Sequence, residues 1–186
     1  MIKVTLKIVC DSGPIIHLDE LNCLYLLEDF QEILIPETVH KEIKRYRPSS
    51  FKKLSLPFNL SPGNIPDNAP LLTLCRIFSL DVGETEALAL MEKNPQAIFL
   101  TDDASARMVA EQMRFKVHGT MGILIRAIRR GQMGAEEVLR ILKEVPSQTT
   151  LYIKLSLLDE IILKIKNIIF EVYVHAPNDL TILTIL

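Results

Sequence analysis

Short apolar runs alternate with helically spaced apolar positions along most of this chain. Val4 to Cys10 alternates, becomes continuously apolar at Ile8, Val9 and Cys10, and stops at Asp11-Ser12-Gly13-Pro14. A short apolar run closed by such residues predicts a buried strand. Pro14 suits the first turn of a helix, with Ser12 or Gly13 near its cap. Ile15, Leu18, Leu21 and Cys23 to Leu27 continue at helical spacing. Glu32 to Ile35 predicts a second strand, and Pro36-Glu37 opens a helix with Val39, Ile43 and Tyr46 on one face. Residues 47–70 carry five prolines and predict a loop-rich connection holding one short strand near Leu54 to Leu56.

Beyond it the pattern predicts helices over Leu71 to Leu80 and Val82 to Lys93, then a strand over Ala97 to Leu100 that stops at Thr101-Asp102-Asp103. A helix over Ala104 to Met113, a strand over Phe115 to Val117 and a helix from Gly119-Thr120 to Arg130 follow, the last ended by Gly131. Ala135 to Glu144 and Ser156 to Lys166 complete the helices. Strands and helices in alternation predict an α/β fold, a central parallel sheet with helices on both faces. Residues 1–166 read as one domain. Residues 167–186 form an apolar tail with strand-like runs at Ile168 to Val174 and Leu180 to Leu186, either a β-hairpin or a poorly ordered end.

Composition narrows the function classes. Apolar residues make up 48% and charged residues 24% of 186, which excludes wholesale disorder. A net charge of −2 excludes a polycation, so nucleic-acid binding would have to come from a local basic patch. Cys10, Cys23 and Cys75 form no CxxC pair, and the four histidines have no finger spacing. Buried, reduced thiols in a cytosolic protein are expected rather than a zinc finger or disulfide framework. The N-terminal apolar run is too short for a signal peptide, and no segment reaches the ~20 apolar residues of a membrane span. A soluble, cytoplasmic protein without membrane contact is the expectation.

The candidate chemistry lies in the acids. Asp11 follows the first strand, and Asp102 and Asp103 follow a later one, so a parallel sheet would place them on one edge, where ligand crevices form. Glu42 sits at the border of an apolar helix face, and Glu84 is in line with Leu88 and Met91. Glu86 aligns with Ala89, Leu90 and Lys93, a less buried face. Converging carboxylates repel one another unless a cation compensates, and hard oxygen ligands suit Mg²⁺ or Mn²⁺. Helix capping is the competing reading for Asp11, for an Asp81–Glu84 capping box and for Asp102 and Asp103, while Glu42 could be a solvated helix residue. Lys41, Lys44, Arg45, Arg47, Lys52 and Lys53 surround the proline-rich connection, and Arg126, Arg129 and Arg130 follow the Thr120 helix start. They are either solvated helix faces or phosphate contacts. Arg107, Ser12 and the amides at Thr120 are further phosphate-binding candidates.

In this order the segments IVCDSGPIIHL, LIPETVHKEI, LDVGETEALAL, IFLTDDASARMVA and VHGTMGILIRAIRRGQM resemble a PIN-domain protein over roughly residues 7–166. GAEEVLRILKE with LYIKLSLLDEIILKIK resembles the C-terminal helical extension of a prokaryotic VapC-like toxin branch. The resemblance implies a three-layer α/β sandwich whose acids hold one or two Mg²⁺ or Mn²⁺ ions and cut RNA phosphodiester bonds. By position, Asp11, Glu42, Glu84 and Asp102 match the family's acids, with Asp103 supporting. The third acid is a glutamate in GET and the last motif is TDD, so either Asp102 or Asp103 could be the ligand, with Asp102 favoured. A metal-dependent endoribonuclease, the toxin of a toxin–antitoxin pair, is therefore expected, with a cognate antitoxin and a homodimer. A catalytically silent PIN-like module that binds RNA or protein is the alternative. A phosphatase with an aspartate nucleophile ranks low, because Gly13 stands where such enzymes place a second aspartate.

Overall fold

The computed structural model describes residues 6–175, with side chains described up to residue 167. The chain divides into two compact units, one up to Thr120 and one from Met121 on.

The first unit is built on a five-stranded, wholly parallel sheet. Its strands are β1 (Lys7–Cys10), β2 (Glu32–Pro36), β3 (Phe58–Ser61), β4 (Ile98–Leu100) and β5 (Lys116–His118), in the spatial order β3-β2-β1-β4-β5. β1 is central, with Ile8 opposite both Ile33 and Ile98. Ile8, Val9 and Cys10 are all buried, as are Ile98, Phe99 and Leu100. Both faces of the central strands are thus covered, which is why these runs read as continuously apolar rather than alternating. This is the expected α/β sandwich.

The helices of this unit are α1 (Ser12–Glu20), α2 (Glu37–Tyr46), α3 (Ser50–Lys53), α4 (Ala69–Ile77), α5 (Val82–Lys93) and α6 (Ala104–Gln112). Val9 and Phe99 point into one core with Leu71 and Cys75 of α4, Leu88 and Met91 of α5, and Val109 of α6. α5 also packs on α2. Gly83 allows that approach, since a Cβ there would lie 3.1 Å from Val39 Cγ2. Cys10, Cys23 and Cys75 are buried and form no disulfide, as expected.

Three local expectations are corrected. The helical spacing running to Leu27 does not make one helix, because α1 ends at Glu20 and a 3₁₀ helix covers Leu24–Asp29. Asn22 between them has φ 56°, a left-handed conformation that asparagine tolerates and a helix does not continue through. The strand expected near Leu54 to Leu56 lies at Phe58–Ser61, beyond Pro57, whose carbonyl accepts from the Ile33 N–H. As an edge strand with Asn59 and Leu60 exposed, β3 lacks the apolar run that marks a buried one.

The second unit contains the rest of α7 (Thr120–Arg129), then α8 (Ala135–Gln148) and α9 (Leu155–His175). α8 and α9 pack together, with Val138, Leu142, Val145, Leu158 and Ile165 buried in this unit. Here lies the third correction. Ile168 to Val174, read as strand-like, is the last part of α9, because helical hydrogen bonding begun upstream propagates through it. The second strand-like run, Leu180 to Leu186, lies outside the described residues. Among the described residues no helix is long and apolar enough to cross a membrane.

Candidate active site

β1 and β4 are neighbours and parallel, so their C-terminal ends meet at one edge of the sheet. The Asp11 N–H donates to the Leu100 carbonyl at 2.9 Å, setting Asp11 immediately beyond β1 and beside Thr101-Asp102-Asp103. Asp11 is only 7% exposed. Its Oδ1 accepts from the Ser12 N–H at 2.7 Å, and its Oδ2 from the Thr101 hydroxyl at 3.2 Å. Burial raises the Asp11 carboxyl to about 7, and the charges of Asp81 and Glu42 push the same way, against the Ser12 N–H and Thr101 hydroxyl.

Glu84 enters through the start of α5. The Asp81 side chain accepts from the Glu84 N–H at 2.8 Å, and Glu84 Oε2 accepts from the Asp81 N–H at 2.9 Å. This is the capping box foreseen as the competing reading, yet it does not exclude a role at the site. Burial lifts the Glu84 carboxyl to about 7, and the charges of Asp81, Asp103 and Asp11 add to the rise. The five acids that influence one another are therefore Asp11, Glu42, Asp81, Glu84 and Asp103. Glu86 is instead packed against Gly63, with Oε2 shielded from solvent.

Asp102 and Asp103 have different surroundings. Asp103 caps α6, accepting from the Ala106 N–H at 2.7 Å, while its own N–H donates to Thr101 Oγ1 at 3.1 Å. Asp102 is turned toward Thr120 and His17. Its Oδ1 accepts from the Thr120 N–H at 2.7 Å, its Oδ2 from the Thr120 hydroxyl at 2.5 Å, and His17 Nδ1 lies 2.8 Å from Oδ2. The His17 tautomer that carries its proton on Nδ1 donates to this carboxylate.

Two residues at this edge had no functional reading in the sequence. Thr101 is fully buried, and its hydroxyl bridges Asp11 and the Asp103 amide. A hydroxyl residue at the strand end beside two aspartates was the available signal. Asp81 was read only as a cap, and nothing local shows that its charge reaches Asp11. Of the phosphate-binding candidates, Ser12 and Thr120 are buried, and both present backbone amides to carboxylates. Arg107 Nη2 donates to the Thr101 carbonyl at 3.2 Å, and Nη1 lies 4.0 Å from Glu111. Arg126 and Arg129 occupy the last turn of α7, and Arg129 and Arg130 are exposed in the second unit.

A cation is the natural relief for such a site. The donors are carboxylates and hydroxyls, hard oxygen ligands, and burial with mutual repulsion holds two acids far above the carboxylate range. Their side chains are not drawn into a cage: among the described residues, no three His, Cys, Asp or Glu groups stand close enough to hold an ion as they are. The donor chemistry, carboxylates and hydroxyls, fits a divalent cation.

Acids at the strand ends of a parallel sheet define the class of α/β protein that presents a carboxylate site at its carboxyl edge. A family model described as a PIN domain, DUF3368, matches residues 7–167. The chain belongs to this PIN-domain family, whose wider class is generally made up of nucleases that act on nucleic acids and usually bind divalent metals. Among curated proteins and among solved structures nothing matches the chain.

Proposed function

We propose that the protein is a Mg²⁺- or Mn²⁺-dependent endoribonuclease that hydrolyses RNA phosphodiester bonds. The observation that carries this reading is the pair of carboxyls, Asp11 and Glu84, raised to about 7 by burial and by neighbouring acids in a fold whose relatives are generally nucleases. Buried acids with raised carboxyls gathered at one sheet edge are the signature of a functional site.

In this reading Asp11, Glu42, Glu84 and Asp103 hold the cation. Asp103 takes precedence over Asp102 because its charge bears on Glu84, whereas Asp102 is occupied by Thr120 and His17. A bound divalent ion supplies a water of lowered pKa and a Lewis acid for the phosphate oxygens. The protein's own residues orient the site. Ser12 N–H and the Thr101 hydroxyl hold the Asp11 carboxylate, and the Asp81 N–H holds that of Glu84. Asp102 positions Thr120 at the start of α7.

The biological setting in this reading is a VapC-like toxin with a C-terminal helical extension, restrained by a cognate antitoxin and acting as a homodimer. Exposed Leu155, Leu157 and Leu163 on α9 support self-association. Light scattering that gives a monomer across micromolar concentrations overturns the dimer. Cleavage of mixed RNAs with Mg²⁺ or Mn²⁺, absent in EDTA and in Asp11→Asn, tests the activity. Cleavage by Asp11→Asn at the wild-type rate overturns it.

A further inference from the structure

The basic residues around the proline-rich connection are not one group. Lys53 Nζ lies 2.6 Å from Asp19 Oδ1, and Arg47 lies 3.7 Å from Asp19 Oδ2 and 3.3 Å from Glu20 Oε1. Asp19 is 4% exposed, so these pairs tie residues 47–53 firmly to α1. Lys41, Lys44 and Lys52 are exposed and make no ion pair among the described residues. Arg47 and Lys53 therefore anchor a segment, whereas the three lysines leave it charged toward solvent.

What the anchored segment carries is Phe51. Its ring centroid lies 4.7 Å from that of His40 on α2 and 4.9 Å from that of Phe58 on β3. The His40 and Phe58 rings are stacked at 6.0 Å. His40, Phe51 and Phe58 are each half-buried. β3 is the edge of the sheet, and no described strand lies beyond it. His40 and Lys44 are four residues apart on α2 and share a face, and Lys52 follows Phe51 directly.

We propose that His40, Phe51 and Phe58, flanked by Lys41, Lys44 and Lys52, form a platform on which bases of single-stranded RNA stack while the lysines meet its phosphates. The inference rests on the ribonuclease reading above and extends it to how the substrate is held. Fixed aromatic faces beside unpaired cations are the combination that single strands use, because every base has a face to stack and every phosphate a charge to meet. A duplex would keep its bases stacked on each other and could use only the lysines. Glu42, two residues from His40, lies on the opposite side of α2. The platform and Glu42 thus lie on opposite sides of α2, a helix about 10–12 Å thick.

The test is fluorescence anisotropy of the full chain in EDTA, with a labelled short oligoadenylate and an abasic strand of the same length. His40→Ala with Phe51→Leu should weaken oligoadenylate binding about tenfold and leave the abasic strand unchanged. Lys44→Gln and Lys52→Gln should each lower the salt slope by about 0.7 on both strands. Photocrosslinking of thiouridine-substituted RNA to the unaltered chain should mark the peptides carrying His40, Phe51 or Phe58, which needs no variant to fold. Equal losses on the two strands, or crosslinks lying wholly elsewhere, overturn the proposal. So does unchanged RNA affinity in the aromatic variant, which would leave this face to a protein partner. Adding Mg²⁺ or Mn²⁺ to the same oligoadenylate separates the two readings. Cleavage without any binding loss in the variants removes the platform alone, and platform binding without cleavage removes the ribonuclease reading alone.

Discussion

Thr120 donates both its amide and its hydroxyl hydrogen to Asp102, at 2.7 Å to Oδ1 and 2.5 Å to Oδ2. Both carboxylate oxygens are engaged before His17 Nδ1 adds its contact at 2.8 Å. The preceding Gly119 makes this possible, because a Cβ there would lie 2.5 Å from Asp102 Oδ1 and 3.0 Å from the Thr101 carbonyl. Gly119→Ala should therefore displace Asp102 and Thr120 together. Overpacking of this kind costs about 1–3 kcal/mol, visible as a lower midpoint in urea unfolding. An unchanged midpoint would mean that the clamp contributes nothing.

The two adjacent aspartates should separate experimentally. Asp103→Asn keeps an oxygen for the α6 cap, so its stability should change by less than about 1 kcal/mol, while cation-dependent RNA cleavage falls sharply. Asp102→Asn places an amide opposite the Thr120 and His17 donors, and should cost about 1–3 kcal/mol of stability. Measured melting temperatures and cleavage rates of the two variants decide the assignment. The reverse pattern would restore Asp102 as the principal ligand.

Asp11 binds a proton up to about pH 7 in the folded chain, far above its ordinary value of 3.8. Between those limits the folded state holds more protons than the unfolded one, so stability should fall as pH rises. The slope from this one group is at most about 1.4 kcal/mol per pH unit. Glu84, raised in the same direction and half exposed, adds a smaller fall. Urea midpoints in EDTA should therefore be higher at pH 5 than at pH 7.5, and Asp11→Asn should flatten the difference. Mg²⁺ or Mn²⁺ should raise the midpoint more at pH 7.5 than at pH 5. A midpoint that climbs with pH in EDTA contradicts the site's electrostatics.

Glu84 and Glu86 sit on one helix and differ only in what they meet. Glu84 feels Asp81, Asp103 and Asp11, whereas Glu86 packs against Gly63. Glutamine at 84 retains a capping oxygen, so Glu84→Gln should keep the fold and reduce cleavage by an order of magnitude or more. Glu86→Gln should change the cleavage rate little. Comparing the two initial rates checks the face assignment, and a greater loss at Glu86 would refute it.

Signals that need only near neighbours in the chain were readable from the residues alone. The central strands are short apolar runs, the Asp81–Glu84 box has its fixed spacing of three, and helices begin just before Pro14, directly after Pro36 and at Thr120. Parallel strands ending in acids then already implied a carboxylate edge. Edge strand β3 escaped because half-exposed pairing leaves little hydrophobic pattern, and α9 continued through residues whose β-branched composition suggested a strand. Tertiary structure alone decided which way each side chain turns. Asp102 is oriented by partners 18 and 85 residues away, and Arg47 and Lys53 are bound to Asp19 on a different helix. A carboxylate or a long cation chooses among rotamers of similar intrinsic energy, so the distant donor or acceptor that the fold brings within 3 Å makes the choice.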